Sequence, residues 1–150
     1  MAKVGRAARV ASRQRVETIA ADKTIASAET GELYLINGAD VAITLPAAQD
    51  GAYFKFIVST KVESAAITIT AAGSSKMAGA IDIATLAGST VNEANAQAET
   101  DDNHTKVTIA DTGSNNLMAG SYIECYSDGT HWYAVGRLIR DNSGVTVVFN

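Results

Sequence analysis

The sequence contains few of the residues on which disulfide-bonded, metal-binding or membrane-spanning proteins depend. Its 150 residues include one cysteine, one proline and two histidines. One cysteine excludes an intramolecular disulfide framework, and the spacing of cysteine and histidine matches no structural zinc site. No apolar run approaches the ~18 residues of a spanning helix, and no apolar segment follows the basic residues near Met1. We therefore expect neither a membrane span nor a secretion signal.

Residues that favour β-structure dominate what is present. Thr, Val, Ile and Gly are plentiful, and no long stretch keeps the 3.6-residue apolar period of a helix. A chain of 150 residues can bury a sufficient core as one domain. We predict an all-β fold, either a compact β-sandwich or a β-barrel or jelly-roll-like domain. The domain would span residues 17–150 and follow an N-terminal arm formed by residues 1–16.

The clearest strand signal is a predicted hairpin near the C-terminus. Residues 121–126 and 131–135 are rich in aromatic and β-branched side chains, and they flank Asp128-Gly129, a strong turn signal. Successive side chains of a strand point to opposite faces, so Trp132 and Tyr133 lie on different faces of the second strand. Large aromatics on both faces indicate that one face meets the core and the other a loop, a neighbouring sheet or a neighbouring subunit. We expect Trp132 to be largely buried.

Three further segments are predicted to be strands. Residues 32–37 and 41–45 are interpreted as a second hairpin, and Pro46 should end its second strand because proline cannot donate to a sheet ladder. Residues 52–59 alternate between two faces. The side chains of this segment that we assign to the core are Phe54, Phe56 and Val58.

A possible internal repeat relates residues 67–79 to residues 107–120, each interpreted as a strand, a Gly-Ser turn, a small apolar segment and a glycine. Two copies are too few for a solenoid, so we prefer a pseudo-symmetric sandwich or barrel, with shared turn composition as the alternative. The polar, acidic residues 92–103 predict an exposed loop. The β-prone residues 145–149 should be either the last strand of the sheet or a strand lent to a neighbour.

Charge is divided unequally between the arm and the domain. The first sixteen residues carry five cations and no acid, whereas residues 17–150, with seven basic and sixteen acidic side chains, carry a net charge of −9. We expect the arm to be extended or disordered alone and ordered on a partner, a solvated tail without a role being the alternative. An acidic protein surface is preferred over nucleic acid because the arm has no aromatic residue to stack on bases. The cations are Lys3, Arg6, Arg9, Arg13 and Arg15.

Residues with catalytic potential are sparse. Cys125, Asp128 and His131 lie close in sequence, but strand alternation and the intervening turn leave their common orientation open. His104 has no spaced carboxylate partner that would suggest zinc. We predict no catalytic, metal or cofactor site and no enzymatic activity, and we expect Cys125 to be a small buried hydrophobe.

Four motifs carry a resemblance to a known class of proteins. They are Ile43-Thr44-Leu45-Pro46-Ala47-Ala48, Gly51-Ala52-Tyr53-Phe54-Lys55-Phe56, Ile67-Thr68-Ile69 and Ser127-Asp128-Gly129-Thr130-His131-Trp132-Tyr133. Over roughly residues 31–137 the pattern resembles tailed-phage virion structural proteins. It is similar both to small head-decoration (capsid cement) proteins and to β-rich repeats of tail fibres and tail-tip proteins.

The resemblance to decoration proteins implies a function. A protein of this kind would bind the outer surface of the phage head and stabilise the shell by bridging capsid subunits. The implied location is the virion, the implied partners are the major capsid protein and two further copies in a homotrimer, and neither a membrane nor nucleic acid is expected as a partner. The five arm cations would bind the capsid. The candidates for subunit contacts are Trp132, Tyr133, Val145, Val147, Val148 and Phe149.

Two other functions stay open at this point. A tail-fibre or tail-tip module would bind a host surface through its loops, although a fibre predicts a longer repetitive shaft sequence. A carbohydrate-binding β domain would stack sugar rings on Trp132, Tyr133 and Tyr126, which predicts that Trp132 is exposed.

Overall fold

The structure of the protein is a computed structural model that describes residues 14–86, 92–98, 103–111, 116–141 and 144–150. These residues form fourteen strands and one short 3₁₀ turn at Ser27–Glu29. The strands are β1 (Val16–Ile19), β2 (Lys23–Thr24), β3 (Leu33–Ile36), β4 (Val41–Leu45), β5 (Asp50–Val58), β6 (Val62–Glu63), β7 (Ala66–Ala71), β8 (Lys76–Thr85), β9 (Asn92–Ala98), β10 (Lys106–Asp111), β11 (Asn116–Leu117), β12 (Tyr122–Asp128), β13 (His131–Arg140) and β14 (Val145–Phe149). The all-β prediction is confirmed.

The strands form two sheets that pack face to face. The large sheet has the order β1-β3-β5-β12-β13, with β8 and then β9 beyond β13 and the short strands β11 and β6 attached near Arg140. The small sheet has the order β14-β10-β7-β4-β2. Their inner faces share one hydrophobic core, so the domain is a β-sandwich.

The N-terminal half of the chain alternates between the two sheets. β1, β3 and β5 lie side by side in the large sheet and β2, β4 and β7 in the small one, all in parallel. The predicted hairpin of residues 32–37 with 41–45 is therefore wrong, because β3 and β4 belong to different sheets. Gly38 lies between them, where an added Cβ would come within 2.5 Å of the Ala20 carbonyl oxygen. This close approach requires glycine at the crossing. Pro46 directly follows β4, as predicted.

The predicted hairpin near the C-terminus is confirmed and lies in the middle of the large sheet. β12 and β13 pair antiparallel with Ser127 opposite Trp132, so Gly129 and Thr130 form the two-residue turn. Gly129 has a φ of 89°, and type II′ hairpin turns need a positive φ at their first central residue. β12 continues onto β5 and β13 onto β8. The hairpin therefore joins the two halves of the large sheet.

The aromatic centre of the core agrees with the sequence. Phe54, Phe56 and Val58 are buried, and Trp132 is fully buried. The Trp132 and Phe54 ring centroids lie 5.7 Å apart, and Trp132 Nε1 donates a hydrogen bond of 3.1 Å to the Pro46 carbonyl oxygen. The indole is thus held by both packing and a polar contact.

The two copies of the proposed repeat supply neighbouring strands. β7 and β10 pair antiparallel in the small sheet, with Ile67 opposite Ile109 and Ile69 opposite Val107. Residues 112–115 of the second copy lie outside the described residues. The two strand segments are thus part of one sheet and do not form successive turns of a solenoid.

The segment predicted as a polar loop is in part a strand. Residues 92–98 form β9, antiparallel to β8, and Ala96 and Ala98 turn toward the core. Alanines at alternate positions provide the apolar face of this strand, but alanine is a weak strand signal. Residues 99–102 of the predicted loop lie outside the described part of the chain.

β14 is the last strand of the small sheet, which agrees with one of the two alternatives for residues 145–149. It pairs with β10 on one side, and no described strand pairs with its other side. The Asn150 and Lys106 backbones exchange hydrogen bonds of 3.0 Å. Hydrogen-bonded and non-hydrogen-bonded residue pairs alternate along an antiparallel ladder. Counted from the hydrogen-bonded Asn150–Lys106 pair, Val147 and Phe149 are at non-hydrogen-bonded positions, so their N–H and C=O groups point away from β10 to the outer edge.

Candidate functional site

The root of the arm is fixed to the domain by Arg15. Arg15 Nη1 lies 2.8 Å from Glu32 Oε1, and the Arg15 carbonyl oxygen accepts a hydrogen bond from Leu33 N. Tyr34 OH donates 3.2 Å to the other Glu32 oxygen. The Glu32 side chain is 5% exposed and that of Arg15 74%. Arg15 therefore contributes to the fold, while the remaining predicted capsid-binding cations, Lys3, Arg6, Arg9 and Arg13, lie outside the described residues.

A second ion-pair group lies beside this root. Lys23 Nζ is 2.8 Å from Glu17 Oε1 and 3.2 Å from Glu29 Oε1. The hydrogen bond to Glu17 raises the pKa of Lys23, and the Ala26 backbone N–H lowers the pKa of Glu29. Oxygens of Glu17, Glu29 and Glu32 lie within 4.8 Å of one another. Because Lys23 and Arg15 already compensate these carboxylates, we interpret the cluster as an ion-pair network.

The outer face of the large sheet carries a row of tyrosines. Tyr126 on β12 is directly opposite Tyr53 on β5 and Tyr133 on β13. The Tyr53 and Tyr126 ring centroids lie 4.9 Å apart, and Tyr126 is 42% exposed. The sequence predicted that Tyr133 lies on the strand face opposite Trp132, but the tyrosine row depends on the register between β5 and β12.

Glu124 binds the neighbouring side chains of this face together. Its Oε1 lies 2.7 Å from Lys55 Nζ, and its Oε2 accepts a hydrogen bond of 2.7 Å from Tyr126 OH. The Lys55 ammonium, and then the Tyr126 hydroxyl, hold the pKa of Glu124 below its ordinary value of 4.5. The same hydrogen bonds raise the pKa of Lys55, and raise that of Tyr126 to about 12. Glu124 is therefore ionised and fully engaged at neutral pH.

At the hairpin turn, the Asp128 carboxylate likewise accepts hydrogen bonds from several neighbouring groups. Its Oδ1 accepts hydrogen bonds from the backbone N–H groups of His131 and Thr130, at 2.7 and 2.8 Å, and its Oδ2 accepts one of 2.8 Å from Tyr133 OH. The bonds from His131 and Thr130 lower the pKa of Asp128, and the bond to Asp128 raises the pKa of Tyr133. The carboxylate therefore fixes both the turn and the orientation of the Tyr133 ring.

The three residues considered for catalysis do not form one site. Cys125 is fully buried and faces the core, where desolvation raises the pKa of its thiol. Asp128 and His131 are on the outside, with 3.5 Å between Asp128 Oδ2 and His131 Nδ1. The expectation of a buried Cys125 is confirmed. His104 lies elsewhere, and its carbonyl oxygen accepts a hydrogen bond from Met77 N.

The candidates for subunit contacts divide into two groups. Tyr133 and Val148 lie on the surface, and Val148 is 52% exposed. The other four side chains are buried in the core of their own chain, because the inward positions of β13 and β14 are occupied by Trp132, Val145, Val147 and Phe149. A subunit contact through β14 must therefore involve its backbone edge or Val148.

A depression lies beside Tyr133 on the outer face of the large sheet. Its volume is about 380 Å³. It forms where β8 presents only small residues between the larger side chains of β13 and β9. Its lining residues are Ala78, Gly79, Ala80, Gln97, Ala98, Tyr133 and Val135.

Comparison with known proteins places the chain in no family: no protein-family model, no curated protein and no solved structure matches it. Within the described part of the chain, no helix has the length and hydrophobicity needed to span a membrane. The fold defines the class of the protein, an all-β domain of two packed sheets.

Proposed function

We propose that this chain is a capsid decoration protein of a tailed phage. It binds the outer surface of the head through its basic arm, bridges copies of the major capsid protein and assembles as a homotrimer. A ligand that binds only the assembled shell stabilises that shell by mass action, by about 2.7 kcal/mol per site at a free concentration of 100 times Kd. The resemblance of residues 31–137 to virion proteins is the starting point of this proposal.

The observation that carries the proposal is the unequal division of charge between residues 1–16 and the rest of the chain, together with the pairing of Arg15. The described core residues run from Ile19 to Phe149, and the last arm cation, Arg15, is paired with Glu32. Lys3, Arg6, Arg9 and Arg13 precede this anchor in a segment without an acid. In the proposed complex these four cations contact the partner, and the paired Arg15 marks the start of the described domain.

The charges favour an acidic protein surface as that partner. The arm has cations spaced two to four residues apart and no aromatic side chain, so it lacks the stacking contacts that nucleic-acid-binding segments use. The domain itself has a net charge of −9, so phosphate binding would rest on the few arm cations alone. Attachment through the arm should weaken with added salt, because accessible charges are screened.

The edge of β14 supports the homotrimer. No described strand pairs with the outer edge of β14, and Val148 adds an exposed apolar side chain on this strand through which another chain can dock. The proposed role is structural, and the Glu124 and Asp128 carboxylates of the hairpin are engaged in bonds that hold the turn and the outer face.

Binding to phage heads that lack the protein tests the proposal. We expect the full chain to co-sediment with heads, and a chain without residues 1–13 to fold but to bind at least severalfold more weakly. Replacing Arg6, Arg9 and Arg13 by glutamine should cause part of this loss and reduce the salt dependence. The matched control neutralises three cations of the domain and should bind like the full chain; these are Lys61, Lys106 and Arg137.

Unchanged affinity of the truncated chain across a salt series would contradict the arm as the attachment site. Electron microscopy of the particle separates head from tail: density on the tail would identify a tail-fibre or tail-tip module instead. A monomer both in solution and on the head, by mass photometry and image reconstruction, would contradict the homotrimer.

A further inference from the structure

We propose that the depression beside Tyr133 is a binding site for a neutral sugar ring of a polysaccharide. This function is independent of capsid attachment, and it requires only the outer face of the large sheet. Trp132 takes no direct part, because it is buried on the opposite face of the same strand.

The tyrosines provide an ordered aromatic surface. Glu124 holds the Tyr126 hydroxyl at 2.7 Å, and Asp128 holds the Tyr133 hydroxyl at 2.8 Å. These bonds fix the ring orientations before a ligand arrives, so little side-chain entropy is lost on binding. An aromatic face fixed at its polar end can pack against the C–H groups of a sugar ring.

The depression is open to solvent, and it combines the volume of a small-molecule site with a floor of small residues. Its volume of about 380 Å³ lies within the range of ~300–1,000 Å³ that is typical of ligand pockets. An added Cβ at Gly79, which has a φ of 135°, would come within 2.0 Å of the Ala134 carbonyl oxygen. Only glycine fits there, and the small side chains of its neighbours Ala78 and Ala80 leave the rest of the depression unfilled.

The charges of this face select an uncharged, amphipathic occupant. None of the described residues that line the depression carries a charge. Two carboxylates of this face, Glu124 and Asp128, already have cationic or N–H partners. The lining instead combines the Tyr133 ring with the exposed Gln97 amide, which can exchange hydrogen bonds with hydroxyl groups. A neutral sugar presents both the apolar C–H face and the hydroxyls that these two side chains can contact.

Affinity electrophoresis of the full chain through gels containing dextran, a β-glucan or a mannan tests the proposal, together with NMR titration of neutral monosaccharides. We expect retardation by at least one polymer and shifts confined to residues around Tyr133. Tyr133→Ala and Ala80→Gln should weaken binding about tenfold or more, whereas Tyr133→Phe, which keeps the ring but loses its bond to Asp128, should weaken it less. Ala42→Gln is the matched control, an exposed alanine on the outer face of the small sheet, and should have no effect.

Three results would overturn the proposal. The first is the absence of retardation and of NMR shifts with every neutral sugar tested. The second is an equal effect of Ala42→Gln. The third is a loss of head attachment in Ala80→Gln, which would make the depression a protein-docking surface. Failure of sugar binding with normal head attachment would leave the capsid proposal intact. Sugar binding without head attachment would contradict the capsid proposal and leave the sugar site intact.

Discussion

The pairing of Arg15 with Glu32 leads to a prediction that separates the arm from the domain. Arg15→Met removes the cation and leaves the Glu32 carboxylate, 5% exposed, with the Tyr34 hydroxyl as its remaining described partner. Breaking a fully buried pair costs about 3–5 kcal/mol, and an exposed pair contributes about 0–1 kcal/mol. Because Arg15 is 74% exposed, solvent screens part of the interaction, and we expect a loss of roughly 1–2 kcal/mol in the free energy of unfolding.

Urea denaturation followed by the fluorescence of Trp132 measures this loss, and a fall in melting temperature of roughly 2–8 °C should accompany it. Removal of residues 1–13 alone should leave both quantities unchanged. Arg15→Lys should lose less than Arg15→Met, since the charge is kept. The control Lys61→Met breaks a pair whose side chains are 47% and 55% exposed, and should change the free energy of unfolding by no more than about 0.5 kcal/mol.

An unchanged denaturation midpoint in Arg15→Met would refute the reasoning, because Glu32 would then be stable without its cation. A midpoint lowered equally by removing residues 1–13 would also refute it, since the arm would then belong to the fold. The double variant Arg15→Met with Glu32→Gln should lose less than the sum of the two single variants if the pair is coupled.

Three further predictions follow from the same structure. Trp132→Ala should lower the free energy of unfolding by ~3–5 kcal/mol in thermal and chemical denaturation, because the ring is fully buried, and unchanged stability would contradict its place in the core. Glu124→Gln should lower the free energy of unfolding by about 1 kcal/mol at neutral pH. Because the folded-state pKa of Glu124 lies below 4.5, this contribution is present above pH 4.5 and disappears as the pH falls through the folded-state pKa. A stability difference between variant and wild type that is the same at all pH values would contradict the Lys55–Glu124 contact. Val148→Lys should shift trimers toward monomers in mass photometry without lowering the melting temperature of the monomer, since it charges the exposed edge of β14, and persistent trimers would place the contact elsewhere.

Local signals in the sequence were sufficient for the hairpin and for much of the core. The turn at Gly129-Thr130, indicated by the Asp-Gly signal beside it, sets the register of β12 with β13, and that register places Trp132 inside and Tyr133 outside. Phe54 and Phe56 follow from alternation alone. These features depend on residues close together in the chain, so composition and period determine them.

The parallel pairs could not be predicted in the same way. Short connections between strands usually make antiparallel hairpins, and parallel strands need a crossover. Here each crossover passes through the opposite sheet, so β3 and β4 resemble a hairpin in sequence but separate in space. β9 was missed because alanines supply its inward face, and β1 because its alternation is weak.

The candidate sites depend on the same long-range pairing. Tyr53 meets Tyr126 only because β5 lies beside β12, and the depression exists only because β8 pairs with β13. Arg15 looked like any other arm cation until the position of Glu32 beside it was known. Residue types at these positions were visible in the sequence, but their neighbours were not.

The central position of the hairpin has a consequence for folding during synthesis. β5, β8 and β7 all need partners that are made later, namely β12, β13 and β10. Until the ribosome has released these strands, the N-terminal half carries unpaired strand edges and an incomplete inner face. Long-range pairing of this kind also slows folding, because loop closure must precede the contacts that stabilise it. We therefore expect nascent chains ending before Tyr122 to remain protease-sensitive, and the domain to fold as one unit only after its last strands are synthesised.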